Sequence, residues 1–253
     1  DEIFAARNDL VQVDPVRERF SIATIEDAYA VQAHNTRRWL SAGRRKTGYK
    51  IGLTSKAVQS QLGVDQPDFG VLWADYEYAD GSVVPASRFM QARAEAEVAF
   101  VVGRAIDDPE IPLTALIAAI EYALPAVEIV DTAIRNWDIR LVDTVADNAS
   151  GGGYVLGMSP RKVTDVDLRL AGAMVSRNGE QASMGVGAAC LGHPLFAALW
   201  LARKMALLGS PLAPGDLVLS GALGPMVDAR AGDVFSAEIH GFAPVGFSVG
   251  AEK

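Results

Sequence analysis

Residues 93–103, Arg93-Ala94-Glu95-Ala96-Glu97-Val98-Ala99-Phe100-Val101-Val102-Gly103, set two carboxylates two positions apart in a run with the apolar texture of a buried strand. Side chains alternate faces along a strand, so Glu95 and Glu97 share a face, their Cβ atoms roughly 6–7 Å apart. Either that face is solvated and the pair is ordinary, or a hard cation or a shared proton makes the close anions tolerable. A third carboxylate, Glu128, lies in Leu124-Pro125-Ala126-Val127-Glu128-Ile129-Val130-Asp131, another β-branched apolar run. Left charged and unpaired there it would cost on the order of several kcal/mol. Its partner is either an arginine such as Arg135 or Arg140, or a metal ion shared with Glu95 and Glu97. Three carboxylates from two strands suit Mg²⁺ or Mn²⁺, which take oxygen ligands and keep positions open for water and a chelating substrate.

The elements that would carry these groups can be read from periodicity and turn chemistry. Thr24-Ile25-Glu26-Asp27 resembles a capping box, and Ala28, Val31, Gln32, Trp39 and Leu40 follow at helical spacing as far as Gly43. The texture then changes to strand over 46–53, where Gly48 and Gly52 flank Lys50 and leave room for something to approach the backbone. A short helix is expected over 58–63, a loop over 65–70, and a buried helix over 113–124 between the two glutamate strands. The segment 143–153 is polar and ends in Gly151-Gly152-Gly153; with no G-K-[ST] after it, close backbone packing or an anion-binding loop is expected there rather than a P-loop.

Asn178-Gly179 predicts a hairpin turn. A helix is expected over 194–208, with Pro194 in its first turn and Gly209 beyond its end. Strands are expected over 216–220, 234–239 and 245–249. The sum is an α+β chain: a helical N-terminal part, 1–45, and one mixed β domain, 46–253. Phe69 to Trp73 reads as an exposed apolar stretch and a weak sign of self-association.

Composition narrows the function classes. With 253 residues, 50% hydrophobic and 21% charged, the chain can bury a full core. Lys plus Arg is 23 against 31 Asp plus Glu, a net charge of −8, and only Arg44-Arg45-Lys46 forms a basic cluster, so nucleic acid is not an expected partner. The one cysteine, Cys190, excludes an internal disulfide and a thiolate zinc site, sits in an apolar stretch expected to be buried, and fits a reducing cytoplasm. No window approaches ~18 uncharged apolar residues, so no membrane span is expected, and no signal peptide is read.

Several segments taken in order carry a resemblance: Gly48-Tyr49-Lys50-Ile51-Gly52-Leu53-Thr54-Ser55, Gln66-Pro67-Asp68-Phe69-Gly70, Glu95-x-Glu97, Pro125 to Asp131, Asp147-Asn148-Ala149-Ser150, and Leu191-Gly192-His193-Pro194. The chain is similar to the hydratase/decarboxylase group of the fumarylacetoacetate hydrolase superfamily. The resemblance implies a mixed β-sheet rolled into a barrel-like core. It also implies a divalent metal held by Glu95, Glu97 and Glu128, a substrate chelating it through carboxylate and 2-oxo oxygens, and Lys50 in the site. The activity implied is hydration of 2-hydroxypenta-2,4-dienoate, through its 2-oxo-3-enoate tautomer, to 4-hydroxy-2-oxopentanoate in meta-cleavage catabolism of aromatic compounds. The alternatives are decarboxylation of a 2-oxo dioate such as 4-oxalocrotonate, or a non-catalytic partner subunit. A homo-oligomer and association with a companion decarboxylase or aldolase are further implications.

Within that frame Lys50, its pKa lowered toward neutrality by an adjacent cation, is expected to transfer the enol/keto proton or bind the substrate carboxylate. Asp68 is the second acid/base candidate, against a turn aspartate. Ser150 and Ser220 are candidates for the substrate carboxylate, and His193 for substrate contact or a helix cap. Asp131 and Asp143 are candidates for orienting the ligands.

Overall fold

The structure, a computed structural model, describes residues 1–20, 22–62 and 64–251. Three helices open the chain: α1 (Glu2–Asp9), α2 (Val16–Arg19) and α3 (Ile25–Ser41). The expected capping box starts α3, with Thr24 Oγ1 accepting from Asp27 N–H at 3.1 Å and Asp27 accepting from Thr24 N–H at 3.2 Å. Its inner face buries Ala28, Gln32, Asn35 and Trp39, a helical stripe. Strand β1 (Lys46–Gly52) follows, then α4 (Lys56–Leu62) and β2 (Asp68–Trp73). The short helix read over 58–63 thus begins two residues early, and Gly63 lies outside the described residues.

Short strands β3 (Glu77–Ala79) and β4 (Val83–Val84) lead to β5 (Arg93–Val102), α5 (Leu113–Ala119), β6 (Ile120–Val130), α6 (Leu141–Ala146) and β7 (Gly151–Leu156). The remainder is β8 (Gly172–Arg177), β9 (Glu180–Val186), α7 (Pro194–Leu207), β10 (Leu217–Leu219), β11 (Val227–Asp228), β12 (Val234–Ile239) and β13 (Val245–Val249). Asn178 and Gly179, both at positive φ, make the expected hairpin between β8 and β9.

Two sheets result. One runs β2-β1-β10-β5-β6-β7-β3, with β11 also paired to β5, and the other runs β4-β13-β12-β8-β9. Mixed strand directions and helices make this an α+β fold of sheets. The barrel-like core implied by resemblance is not found as a closed barrel: among the described residues no pairing joins the outer strands of either sheet into a ring. No helix among them is long and apolar enough to cross a membrane.

Two sequence expectations are corrected. The helix read over 113–124 ends at Ala119, and Ile120 to Leu124 instead pair with β5, Tyr122 opposite Val101. A run apolar on every side satisfies a buried strand as well as a buried helix, and pairing with β5 decides between them. The loop read over 65–70 gives way at Asp68 to β2, whose residues Phe69 to Trp73 are all buried, so that stretch gives no exposed association surface. It is paired to β1 and covered by α3, where Tyr29 stacks on Phe69 with ring centroids 4.6 Å apart.

Alternation along β5 allots the two faces. Ala94, Ala96, Val98 and Phe100 enter the large core with Leu201, Phe235 and Phe247. Ala99 on the opposite face packs with Ala126, Tyr154 and Leu219, and Glu95 and Glu97 continue that face. The antiparallel register sets Glu95 directly opposite Glu128.

Where β1 meets β10 the backbones approach so closely that a Cβ on Gly48 would stand 1.9 Å from Leu217 O. Gly48→Ala is therefore expected to cost about 1–3 kcal/mol or more in urea unfolding. Gly172→Ala, at a site with nothing within 4 Å of the added carbon, is expected to leave the midpoint nearly unchanged.

Candidate active site

The long β5–β6 ladder brings three carboxylates to one point. Glu95, Glu97 and Glu128 each offer an oxygen, and these atoms lie within 4.8 Å of one another. All three side chains are buried. Glu97 Oε2 accepts the Gly221 N–H at 2.8 Å, but Glu97 Oε1 and both Glu128 oxygens have no hydrogen-bond partner among the described residues. Buried carboxylate oxygens are normally satisfied, and of these three only Glu128 Oε1 has a cation near it, the Lys50 ammonium, so the cluster can take another electropositive group. Hard oxygen donors of this number fit Mg²⁺ or Mn²⁺.

Lys50 enters from the neighbouring strand. Its Nζ lies 3.2 Å from Glu128 Oε1 and donates a 2.9 Å hydrogen bond to Ala149 O. Glu128 therefore pairs with Lys50, not with an arginine; Arg135 pairs with Asp14, and Arg140 stands at the start of α6, its backbone N–H donating to Asp143. Asp68 sits opposite Gly52 in the β1–β2 ladder. The absent side chain of Gly52 makes room for it: a Cβ there would lie 2.2 Å from Asp68 Oδ1 and 3.4 Å from Lys50 Nζ. What approaches the backbone between the two glycines is thus the Asp68 carboxylate. Neither Asp68 oxygen has a hydrogen-bond partner among the described residues.

Burial dominates the electrostatics. It pushes Glu95 up to about 8, with Glu128 adding repulsion and Lys50 opposing both. Glu97 and Glu128 are raised by the same burial. Burial lifts Asp68 to about 6 against the pull of Lys50. Lys50 behaves differently from the expectation. Desolvation alone would lower it, but Glu128, Asp68, Glu95 and Glu97 surround it, and the sum holds its pKa above that of a free lysine.

The other sequence candidates separate. Ser150 is buried beside Lys50's anchor, its Oγ 3.1 Å from Thr144 Oγ1. Ser220 is next to Glu97's donor Gly221, but its Oγ accepts from Val98 N–H at 3.3 Å and donates to Gly221 O at 3.2 Å. His193 caps α7, with Nδ1 accepting from Leu195 N–H at 3.1 Å, and its charged neighbours are Asp167 and Arg169 rather than the glutamates. Cys190 is buried, its thiol pushed up to about 12 by burial and by Glu97. Asp131 and Asp143 bind Arg7 and Arg17 of the N-terminal helices rather than the glutamates.

Sequence reasoning missed the Ala149 carbonyl and the Gly221 amide, because backbone groups leave no residue-type signature. The triple glycine serves close packing: a Cβ on Gly152 would meet Ile129 O at 2.4 Å.

Residues 35–249 match the fumarylacetoacetate (FAA) hydrolase C-terminal family. The chain belongs to the fumarylacetoacetate hydrolase family. Among its relatives, the TodF product hydratase of Pseudomonas putida F1 is 53% identical over 97% of this chain and 91% of its own length. The 2-keto-4-pentenoate hydratase 1 of Dechloromonas aromatica is 52% identical over 95% and 92%. A solved structure of 4-oxalocrotonate decarboxylase from Pseudomonas putida G7, complexed with magnesium and adipate, superposes with a TM-score of 0.94 at 33% identity, covering 98% of this chain and 94% of that one.

In this family member the carboxyl cluster links stability to pH. Glu95 has an ordinary value of 4.5 and a folded value of about 8, so between these the folded protein holds a proton that the unfolded chain releases. Its stabilising contribution is therefore full below the lower value and is lost as pH rises through the upper one. Metal-free protein is expected to lose melting temperature relative to Glu95→Gln between about pH 5 and 8. A divalent cation held at these oxygens would compete with their protons, and its binding would release them. Calorimetry in two buffers of different ionisation enthalpy at neutral pH measures that release.

Proposed function

We propose that this chain is a metal-dependent hydro-lyase that adds water to 2-hydroxypenta-2,4-dienoate, giving 4-hydroxy-2-oxopentanoate. The observation carrying the proposal is the cluster of buried, donor-poor carboxylates against Lys50, in a chain about half identical to hydratases. Glu95, Glu97 and Glu128 would hold Mg²⁺ or Mn²⁺. When bound, the ion supplies Lewis acidity toward the negative charge that develops on the substrate's 2-oxygen.

The remaining work falls to the chain. Lys50, held as an ammonium among carboxylates, binds the substrate carboxylate and keeps it in register with the acid/base group. Asp68, raised by burial to about 6, is mostly ionised at neutral pH yet easily reprotonated, so it accepts the proton from the 2-hydroxyl and serves its return at C5. The resulting 2-oxo-3-enoate is electrophilic at C4, where water oxygen adds, with a proton arriving at C3. No covalent adduct with a side chain is needed. Ser150 is a second group for the substrate carboxylate, and Ser220 and His193 are weaker ones, the first committed to backbone contacts and the second to its helix cap.

The partners that the resemblance implies, a second copy of the chain and a companion decarboxylase or aldolase, belong to the same proposal, as does a reducing cytoplasm. So does the barrel-like description of the core, and the division at 45/46 into a helical part and a catalytic domain. The decarboxylase structure favours a second reading, in which the same charge stabilisation releases CO₂ from a 2-oxo dioate.

Incubation with 2-hydroxypenta-2,4-dienoate and with 4-oxalocrotonate, following ultraviolet absorbance and trapped CO₂, separates the two readings. Loss of dienol without CO₂ is the expected result, and CO₂ from 4-oxalocrotonate would reverse the order. Glu95→Gln and Glu128→Gln should each lower kcat on the order of 100-fold or more in metal-replete buffer. EDTA should abolish turnover and Mg²⁺ or Mn²⁺ restore it; equal rates with and without metal would remove the Lewis-acid role.

A further inference from the structure

Arg7, in the first helix, reaches across the fold to the segment that anchors Lys50. Its side chain is 12% exposed and grips Asp147 at both oxygens, Nε donating to Oδ1 at 2.6 Å and Nη2 to Oδ2 at 2.8 Å. Nη2 also donates to Asp131 O at 2.7 Å, and Nη1 lies 3.5 Å from Asp131 Oδ2. One guanidinium therefore ties the residue after β6 to the residue after α6. Asp147 is fully buried and further accepts Thr132 Oγ1–H and Ala133 N–H, both at 2.8 Å.

Directly after Asp147, three residues that are not glycine stand in the left-handed region: Asn148, Ala149 and Ser150 have φ of 57°, 52° and 53°. Each costs roughly 1–2 kcal/mol relative to a right-handed residue, and such a run persists only where its surroundings over-determine it. The restraints are visible. Asn148 clasps Val71 in β2, Oδ1 accepting its N–H at 2.7 Å and Nδ2 donating to its O at 2.9 Å. Ser150 O accepts Asp131 N–H at 2.9 Å, and Asp147 O accepts Ser150 N–H at 3.0 Å. What the run produces is an Ala149 carbonyl turned to the Lys50 ammonium at 2.9 Å.

We propose that Arg7 is a positioning residue: by clamping Asp147 to Asp131 it holds the left-handed turn whose Ala149 carbonyl orients Lys50. The proposal rests on the reading of Lys50 as a substrate-binding group. Arg7 binds Asp147 and Asp131 rather than Lys50, Asp68 or the three glutamates, so its effect passes through Asp147. A lysine at position 7 keeps the charge but cannot reproduce the two-point grip.

The test uses full-length Arg7→Lys, Asp147→Asn and the double variant. Amide exchange by mass spectrometry is the readout that needs no substrate. Faster exchange confined to 147–153 and to Val71 is expected, with the β8–β9 and β12–β13 ladders as protected as in the unaltered chain. Dienol kcat/KM should fall about 10- to 100-fold, the Mg²⁺ dissociation constant should stay within about twofold, and the double variant should lose no more than the worse single one.

Additive losses, exchange raised throughout both sheets, or kcat/KM unchanged despite a loosened 147–153 would each overturn the proposal. So would failure of both single variants to fold, which would make Arg7 a folding residue. If the unaltered chain does not turn over the dienol, the functional reading fails, and the exchange pattern with its double-variant coupling still decides whether Arg7 holds the turn.

Discussion

Three buried carboxylates against one ammonium are the constraint on which the site depends. Together with Asp68 they put four acidic groups around Lys50, and several of their oxygens meet no donor. Such an arrangement is unfavourable for an isolated chain, and burial moves every one of these acids toward its protonated form. Proteins keep unsatisfied buried polar groups where they serve function. The destabilisation is local; the large core on the far side of β5 supplies apolar burial that offsets it.

One strand therefore does two things at once. Its even-numbered residues build the core and its odd-numbered residues, Glu95 and Glu97, build the site, because side chains alternate with a period of two. Register adds the third carboxylate, since Glu128 stands opposite Glu95 only in the observed β5–β6 pairing. A slip of one residue would drive two carboxylates into the apolar core and turn Ala94, Ala96 and Val98 toward Glu128 in their place. Stability of the core and integrity of the site consequently select the same register.

Much of this was legible in the sequence where side-chain type carries the signal. Glu95, Glu97 and Glu128 stood out as acids in apolar runs, Lys50 as a cation between two glycines, and the Thr24 cap and the Asn178-Gly179 turn had their own local chemistry. What was not legible falls into two kinds. Residues 120–124 and 68–73 lie in runs whose apolar pattern suits more than one element, and only pairing with β5 and β1 decides. The rest is non-local: a carbonyl at Ala149, an amide at Gly221 and an arginine 140 positions from its aspartate leave no trace in spacing.

Lys50 shows why the local environment, rather than residue type, assigns roles. Read from sequence, a lysine beside a metal suggests a base of lowered pKa. Placed among Glu128, Asp68, Glu95 and Glu97 it is instead held charged, and it is Asp68, across from Gly52, that burial brings to about 6. One environment raises both groups, and on the proposed reading the ammonium would fix charge while the carboxyl exchanges the proton. That division needs both groups to face the same small volume, which Gly52 permits by having no side chain and the Asn148–Ser150 turn enforces by anchoring the lysine. The strained turn and the missing Cβ are thus two sides of one requirement, a charged nitrogen and a titrating carboxyl kept close without being allowed to neutralise each other in a direct hydrogen bond.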